Sequence, residues 1–159
     1  MRLSTKGRYA MVAMTALALA ENGGYTNLVN ISKQQNISIT YLEQLFMKLK
    51  KANLITASRG PSGGYKLAKS PDEIRILRIL EAVEEPMNAL ETGAGVSGGS
   101  SGTKAQSLAN RLWEGLSAQV YVYLHGIRLS DIINNDLAPC PAVPDILNIY
   151  DSNEHKDLS

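Results

Sequence analysis

Apolar residues in the first third of the chain recur three or four positions apart, the spacing of a helix with one buried face. This pattern predicts a first helix over residues 4–21, capped by Ser4, and a second over about 27–35. A third helix is predicted over 38–51, and Asn36 before it tolerates the left-handed conformation of a tight helix exit. The second and third helices therefore have the spacing of a helix-turn-helix.

Two short segments then predict a β-hairpin, because one is rich in β-branched residues and the other alternates. They cover residues 54–58 and 65–67, and the sequence between them, RGPSGG, has the glycine and proline content of a turn. This loop opens a strand and not a helix, which disfavours a nucleotide-binding loop. A helix-turn-helix followed by a basic hairpin predicts a winged helix over residues 1–70.

The pattern after residue 70 returns to helices. Ser70 and Glu73 have capping-box spacing ahead of a helix that runs through residue 84, although its first turn can instead close the hairpin as a short strand. The adjacent Glu84 and Glu85 are interpreted as a solvated helix end.

A flexible loop and a long helix are predicted next. Residues 90–103 contain five glycines and three serines, and a helix of about six turns follows over 104–124. Its apolar positions repeat at helical spacing, at Leu108, Leu112, Leu116, Val120 and Tyr123. This face is either an ordinary core face or the contact with a second copy. We predict a mainly α fold with a small β-hairpin wing, a dimerisation region over 71–135 and a Pro-rich, polar tail over 136–159.

The charges are divided between the two halves of the chain. The net charge of the 159 residues is only +1. Residues 1–70, however, hold ten lysines and arginines against two acids, and residues 71–159 hold six against thirteen. A positive module of this kind is typical of proteins that bind a polyanion, because each neutralised phosphate releases counterions. A basic face that is merely solvated is the alternative.

The predicted contacts with double-stranded DNA lie in the third helix and the hairpin. Gln and Ser or Thr side chains can pair with base edges in the major groove, Lys suits phosphate, and the Arg fork reads guanine or enters a narrow minor groove. Glycines in the hairpin let its backbone approach a ligand closely. The candidates from helix, hairpin and N-terminus are Ser38, Thr40, Tyr41, Gln44, Lys48, Arg59, Gly60, Ser62, Gly63 and Arg2.

Composition limits the other functions. Apolar residues make up 44% of the chain, but no apolar run reaches the ~20 residues of a membrane span, so no membrane partner is expected. A single cysteine agrees with a reducing, cytoplasmic location. Without a nucleophile motif, metal-ligand spacing or convincing carboxylate pair, we expect no enzyme. A protein-interaction module that uses the winged helix and the long helix without binding DNA is the competing hypothesis.

Several segments resemble the IscR-like regulators of the Rrf family, bacterial winged-helix transcription factors. The resemblance rests on MRLSTKGRYA, ISITYLEQLF, RGPSGGY, EIRILRILEAVEE, RLWEGLSAQV and LSDIINN, and covers roughly residues 1–135. It implies a homodimeric repressor or regulator of iron–sulfur cluster assembly or iron-responsive genes, bound to near-palindromic operators. It also implies that DNA is read by Thr40, Tyr41, Glu43, Gln44 and Arg59. Of these, Glu43 would tune which operators are tolerated, since a carboxylate can accept from cytosine N4.

The resemblance also implies a 2Fe–2S cluster, held by three cysteines and a histidine in and after the loop. Here Ser107 takes the last cysteine position and Asn110 the histidine position, and Thr92 and Ser101 lie near the other two. Hydroxyl and amide groups are poor substitutes for thiolate and imidazole on iron, and Thr92 and Asn110 favour natural loss over engineered replacement. The single thiol, Cys140, leaves three alternatives: a cluster with unusual ligands, a cluster-free regulator, or thiol redox sensing.

Overall fold

The computed structural model describes residues 4–20, 23–85 and 102–137. In these ranges it has six α-helices and one antiparallel hairpin, which confirms the predicted fold class. The helices are α1 (Thr5–Leu19), α2 (Leu28–Gln35), α3 (Ile39–Lys51), α4 (Ile76–Ala82), α5 (Lys104–Gly126) and α6 (Leu129–Ile133). The strands are β1 (Ile55–Ser58) and β2 (Gly64–Leu67).

Helix α1 lies at the centre of the core and contacts α2, α3, α4 and α6. Its buried face carries Ala10 and Ala13, whose small side chains allow the neighbouring helices to approach closely. Around α1 and its buried Met14 pack large buried side chains from the other elements, which are Phe46, Ile31, Leu42, Leu49, Ile55, Ile74, Ile79, Leu129 and Val83. The core therefore joins the helix-turn-helix to the second half of the chain.

The hairpin pairs β1 with β2 in one register, with Ile55 opposite Leu67 and Ser58 opposite Gly64. Its second strand is also tied to the segment between α1 and α2. Thr26 N–H donates to the Tyr65 carbonyl at 2.7 Å, and Tyr65 N–H donates to the Thr26 carbonyl at 2.9 Å. The wing is thus anchored on both sides of β2.

The prediction of one helix from the capping box through residue 84 is wrong at its start. The capping box of Ser70 forms, but it closes a single 3₁₀ turn over Pro71–Glu73. Arg75 then pairs with Arg128 as an isolated β-bridge, and Ile76 N–H donates to the Ile127 carbonyl at 3.0 Å. These bonds to the segment before α6 replace the helical bonds of the first turn, so that α4 begins only at Ile76.

The interpretation of Glu84 and Glu85 as a solvated helix end is wrong for Glu85, which is only 4% exposed. Its carboxylate accepts from Ser4 N–H at 2.8 Å, from the Ser4 hydroxyl and from Gly7 N–H at 3.0 Å. Ser4 holds the N-cap position of α1, yet its side chain makes no capping bond to the helix. The α1 amides are therefore capped by a carboxylate from the end of α4, where a negative charge also suits the helix dipole.

Helix α5 leaves most of its side chains exposed, including most of the predicted apolar stripe. The residues that are half-buried or buried in the chain are Gln106, Asn110, Ser117, Val120 and Leu124. Of the predicted stripe, only Val120 is among them. Leu108, Leu112, Leu116 and Tyr123 are between 41% and 66% exposed. The core-helix alternative is therefore wrong for the single chain.

Candidate nucleic-acid interface

The turn between α2 and α3 is fixed by local polar contacts. Asn36 adopts the left-handed conformation expected of it, with φ of 53°. The Ser32 hydroxyl donates to the Ile37 carbonyl at 2.6 Å across the turn. The Ser38 hydroxyl then accepts from Tyr41 N–H at 3.4 Å and caps α3. These short side chains set the start of α3, so the residues of its first turns have a defined orientation.

Helix α3 is divided into a buried face and a polar face. Leu42, Leu45, Phe46 and Leu49 are buried in the core. The predicted contacts Ser38, Thr40, Glu43 and Gln44 are all exposed. The structure brings these four side chains together at the N-terminal half of one helix. A helix fits the major groove of DNA, where side chains of this kind can form hydrogen bonds with base edges.

Tyr41 lies at the boundary between these faces and is half-buried. Its ring packs edge-to-face on Tyr9 of α1, with 5.5 Å between centroids. Its hydroxyl can still reach a phosphate or base edge, while the ring contact restricts its position.

Lys48 is the one predicted helix contact that already has a charged partner. Its ammonium lies 2.7 Å from the Glu84 carboxylate, and 36% of its side chain is exposed. The sequence did not predict this ion pair, because it joins residues 36 positions apart.

The wing presents Arg59, Gly60 and Ser62 as exposed residues, with Gly63 half-buried. Gly63 N–H donates to the Gly60 carbonyl at 3.0 Å and closes the loop. No acid in the described ranges forms an ion pair with Arg59. Its guanidinium therefore keeps its donors available for phosphate or base oxygens.

Two contacts hold the wing relative to α3. Phe46 of α3 packs edge-to-face on Tyr65 of β2 with 4.8 Å between ring centroids. Gly64 has φ of +148°, and a Cβ there would lie 2.4 Å from the Thr26 carbonyl oxygen. Glycine is required at this position because any side chain would displace the backbone that anchors β2. Helix α3 and the wing are therefore held beside each other.

Of the four positions where the resemblance places cluster ligands, the described part of the chain includes Ser107 and Asn110. Ser107 is exposed on the first turn of α5, whereas Asn110 is buried and engaged with a partner. Among the described residues no three His, Cys, Asp or Glu side chains are grouped as a metal site would require. Thr92, Ser101 and Cys140, like Arg2 of the DNA contacts, lie outside the described residues. The neutral hydroxyl and amide present here do not fit a 2Fe–2S cluster.

Sequence reasoning missed the acidic pair that borders this surface. Glu85 caps α1, and Glu84 pairs with Lys48. One signal was available: a glycine inside a helical pattern often marks close packing, and a Cβ on Gly7 would lie 2.8 Å from the Glu85 carboxylate.

No helix in the described part of the chain is both long and apolar enough to span a bilayer.

Comparisons with known proteins agree with this geometry. The Rrf2 family, described as iron-dependent transcriptional regulators, matches residues 3–135. The HTH-type transcriptional regulator IscR of Cereibacter sphaeroides is 61% identical over 155 residues, covering 96% of this chain and 100% of that protein. The IscR protein of Aliivibrio salmonicida is 43% identical over 133 residues, covering 84% of this chain and 77% of its own.

Solved structures show the same fold. CymR, the global cysteine regulator of B. subtilis, superposes with a TM-score of 0.70 at 32% identity, covering 85% of this chain and 98% of CymR. IscR of T. potens superposes with a TM-score of 0.68 at 30% identity, covering 88% and 94%. The chain belongs to the Rrf2 family: it is a winged-helix, DNA-binding transcription regulator and not an enzyme.

Proposed function

We propose that this regulator acts as a homodimer that binds near-palindromic double-stranded DNA in the cytoplasm. In this proposal α3 enters the major groove and the wing contacts the flank of each half-site. The observation that carries the proposal is the exposed apolar stripe of α5, together with the exposure of the predicted contacts on α3, which are Ser38, Thr40, Glu43 and Gln44. The genes it controls are those of iron–sulfur cluster assembly or iron response, supported by the family's description as iron-dependent and by its IscR relatives.

The exposed face of α5 supports the dimer. Leu112 is 66% exposed and Tyr123 58%, and both lie on one side of a helix of 23 residues. Apolar surface of this extent is costly in water, at about 25 cal/mol per Å². A second copy of α5 would cover it symmetrically. Two recognition helices about 34 Å apart would then meet successive major grooves.

Each predicted contact has a distinct role in this proposal. Gln44 suits adenine, since its amide can donate and accept together, and the hydroxyls of Ser38 and Thr40 can serve either base. Glu43 repels phosphate but can accept from cytosine N4, so it limits the tolerated sequences. Arg59 contacts the minor groove or a phosphate from the wing.

The supporting backbone contacts come from the other predicted residues. Tyr41 on α3, Gly60, Ser62 and Gly63 in the wing, and Arg2 at the N-terminus would contact sugar and phosphate, which fix the register without reading sequence. Lys48 on α3 would reach a phosphate only if it left its ion pair with Glu84.

Regulation does not require a resident cluster. The chain has one cysteine, and the described positions Ser107 and Asn110 offer no charged donor to iron. A cluster-free regulator is therefore the form we propose. The competing hypothesis of a protein-interaction module without DNA binding disagrees with the DNA-binding family to which the chain belongs.

Light scattering combined with DNA binding tests the proposal. Leu112→Asp places a charge on the exposed apolar face, so it should convert the dimer into a monomer and weaken binding to a duplex in 50 mM salt by more than tenfold. Glu114→Gln, at an exposed position on the opposite side of α5, is the matched control and should leave both quantities unchanged. The proposed assembly would be refuted if the wild-type protein is itself a monomer and its affinity for the duplex equals that of the Leu112→Asp variant.

A further inference from the structure

Glu84 follows α4 and lies beside three lysines of the predicted DNA-binding half, which are Lys48, Lys6 and Lys51. The Lys48 ammonium donates to its carboxylate at 2.7 Å, and the Lys6 ammonium donates to its backbone carbonyl at 3.3 Å. The hydrogen bond and the charge of Lys48 lower the pKa of the Glu84 carboxyl, and the charges of Lys6 and Lys51 act in the same direction. The carboxylate is therefore ionised at neutral pH and faces a positive surface.

The backbone keeps Glu84 in this position. Its φ is +58°, and its N–H donates to the Glu81 carbonyl at 3.0 Å at the end of α4. The next residue, Glu85, is buried and bound to the start of α1, and its N–H donates to the Leu80 carbonyl at 3.0 Å. The Glu84 side chain is 74% exposed, and from this fixed backbone position its carboxylate reaches Lys48 of α3.

Without its ion pair to Glu84, Lys48 would be placed to reach DNA. Thr40, Gln44 and Lys48 follow one another at intervals of four along α3, so they share one side of the helix. A lysine at the far end of this row would meet backbone phosphate while the first two face the bases. The ion pair with Glu84 neutralises this lysine before any DNA arrives.

We propose that Glu84 withholds Lys48 from the DNA backbone and so limits sequence-independent binding. This inference rests on the proposed DNA-binding function. The phosphate contact of Lys48 carries no sequence information, so its suppression reduces binding to all duplexes, including the large excess of non-operator DNA. Glu84 is in this sense a positioning residue, because it acts through Lys48 and touches no DNA itself.

A double-mutant cycle on an unrelated duplex tests this coupling. Glu84→Gln should tighten binding and steepen the dependence of log affinity on log salt by about 0.9, the contribution of one phosphate. The gain should consequently be roughly threefold larger at 50 mM than at 200 mM salt. Lys48→Met alone should change affinity little, and the Lys48→Met/Glu84→Gln double variant should return to the wild-type affinity and salt slope.

Glu81→Gln is the matched control, because it removes one acid from α4 that pairs with Arg78 and not with a lysine of α3. It should leave the salt slope unchanged. The inference is overturned if Glu84→Gln tightens binding equally with and without Lys48, or if Lys48→Met alone flattens the salt slope. A wild-type protein that binds no duplex would instead refute the proposed function, which keeps the two failures distinguishable.

Discussion

Replacing Glu85 with glutamine should destabilise the protein by about 2 kcal/mol at neutral pH. The carboxylate accepts three hydrogen bonds from Ser4 and Gly7 at the start of α1 and is 4% exposed. Hydrogen bonds to charged groups contribute about 1.5–3 kcal/mol, and a negative charge at a helix N-terminus adds about 0.3–1 kcal/mol. Glutamine keeps one acceptor oxygen but turns an NH₂ group toward donors, so most of this stabilisation is lost.

The effect of this substitution depends on pH in a defined direction. Burial raises the pKa of Glu85, but the hydrogen bonds from Ser4 and Gly7 and the charge of Lys6 outweigh it, so the pKa is lowered overall. In the unfolded chain the Glu85 carboxyl has the ordinary glutamate pKa of about 4.3, so as the pH falls it is protonated before the carboxyl of the folded protein. The stabilisation is therefore complete above that pH and is lost as the pH falls through the folded pKa.

Urea unfolding followed by circular dichroism measures both effects. At pH 7 and a fixed chain concentration, Glu85→Gln should lower the midpoint by about 1 M, and the difference from wild type should shrink below pH 4.3. Glu81→Gln, which removes an exposed carboxylate, should stay within about 0.5 kcal/mol of wild type. A Glu85→Gln difference that is equally small, or independent of pH, would refute the capping role.

Three further substitutions test the interface. Gly64→Ala should break the anchor to Thr26, seen as faster amide exchange at Tyr65 and weaker DNA binding, whereas unchanged exchange would contradict the close approach. Arg59→Ala should weaken gel-shift affinity at fixed salt by about tenfold, and an unchanged affinity would remove the wing from the interface. Glu43→Ala should broaden the set of bound operators, and a uniform loss across operators would argue against its tuning role.

The helix-turn-helix could be predicted because its signals are local. Asn36 supplies the left-handed exit and Ser38 the cap, each within a few residues of the helix that it ends or starts. The wing was predictable for the same reason, since its loop composition marks a turn. The polar face of α3 then followed from helical spacing, which is why its exposed residues agree with the candidates from the sequence.

The contacts that escaped prediction are those between distant segments. The amide of Ile76 bonds to the carbonyl of Ile127, 51 positions away, and this contact sets where α4 begins. Glu85 meets Ser4 across 81 positions, and Glu84 meets Lys48 across 36. Helical spacing shows which residues share a face but not what that face packs against, so these acids were assigned to solvent.

Selection of bound sequences from a random duplex pool by the purified protein tests the central claim most directly. A symmetric dimer that reads DNA through two copies of α3 should enrich inverted half-sites whose centres lie about 10 base pairs, or a multiple of that distance, apart. Enrichment of a single unpaired half-site, or of no sequence at all, would contradict the account.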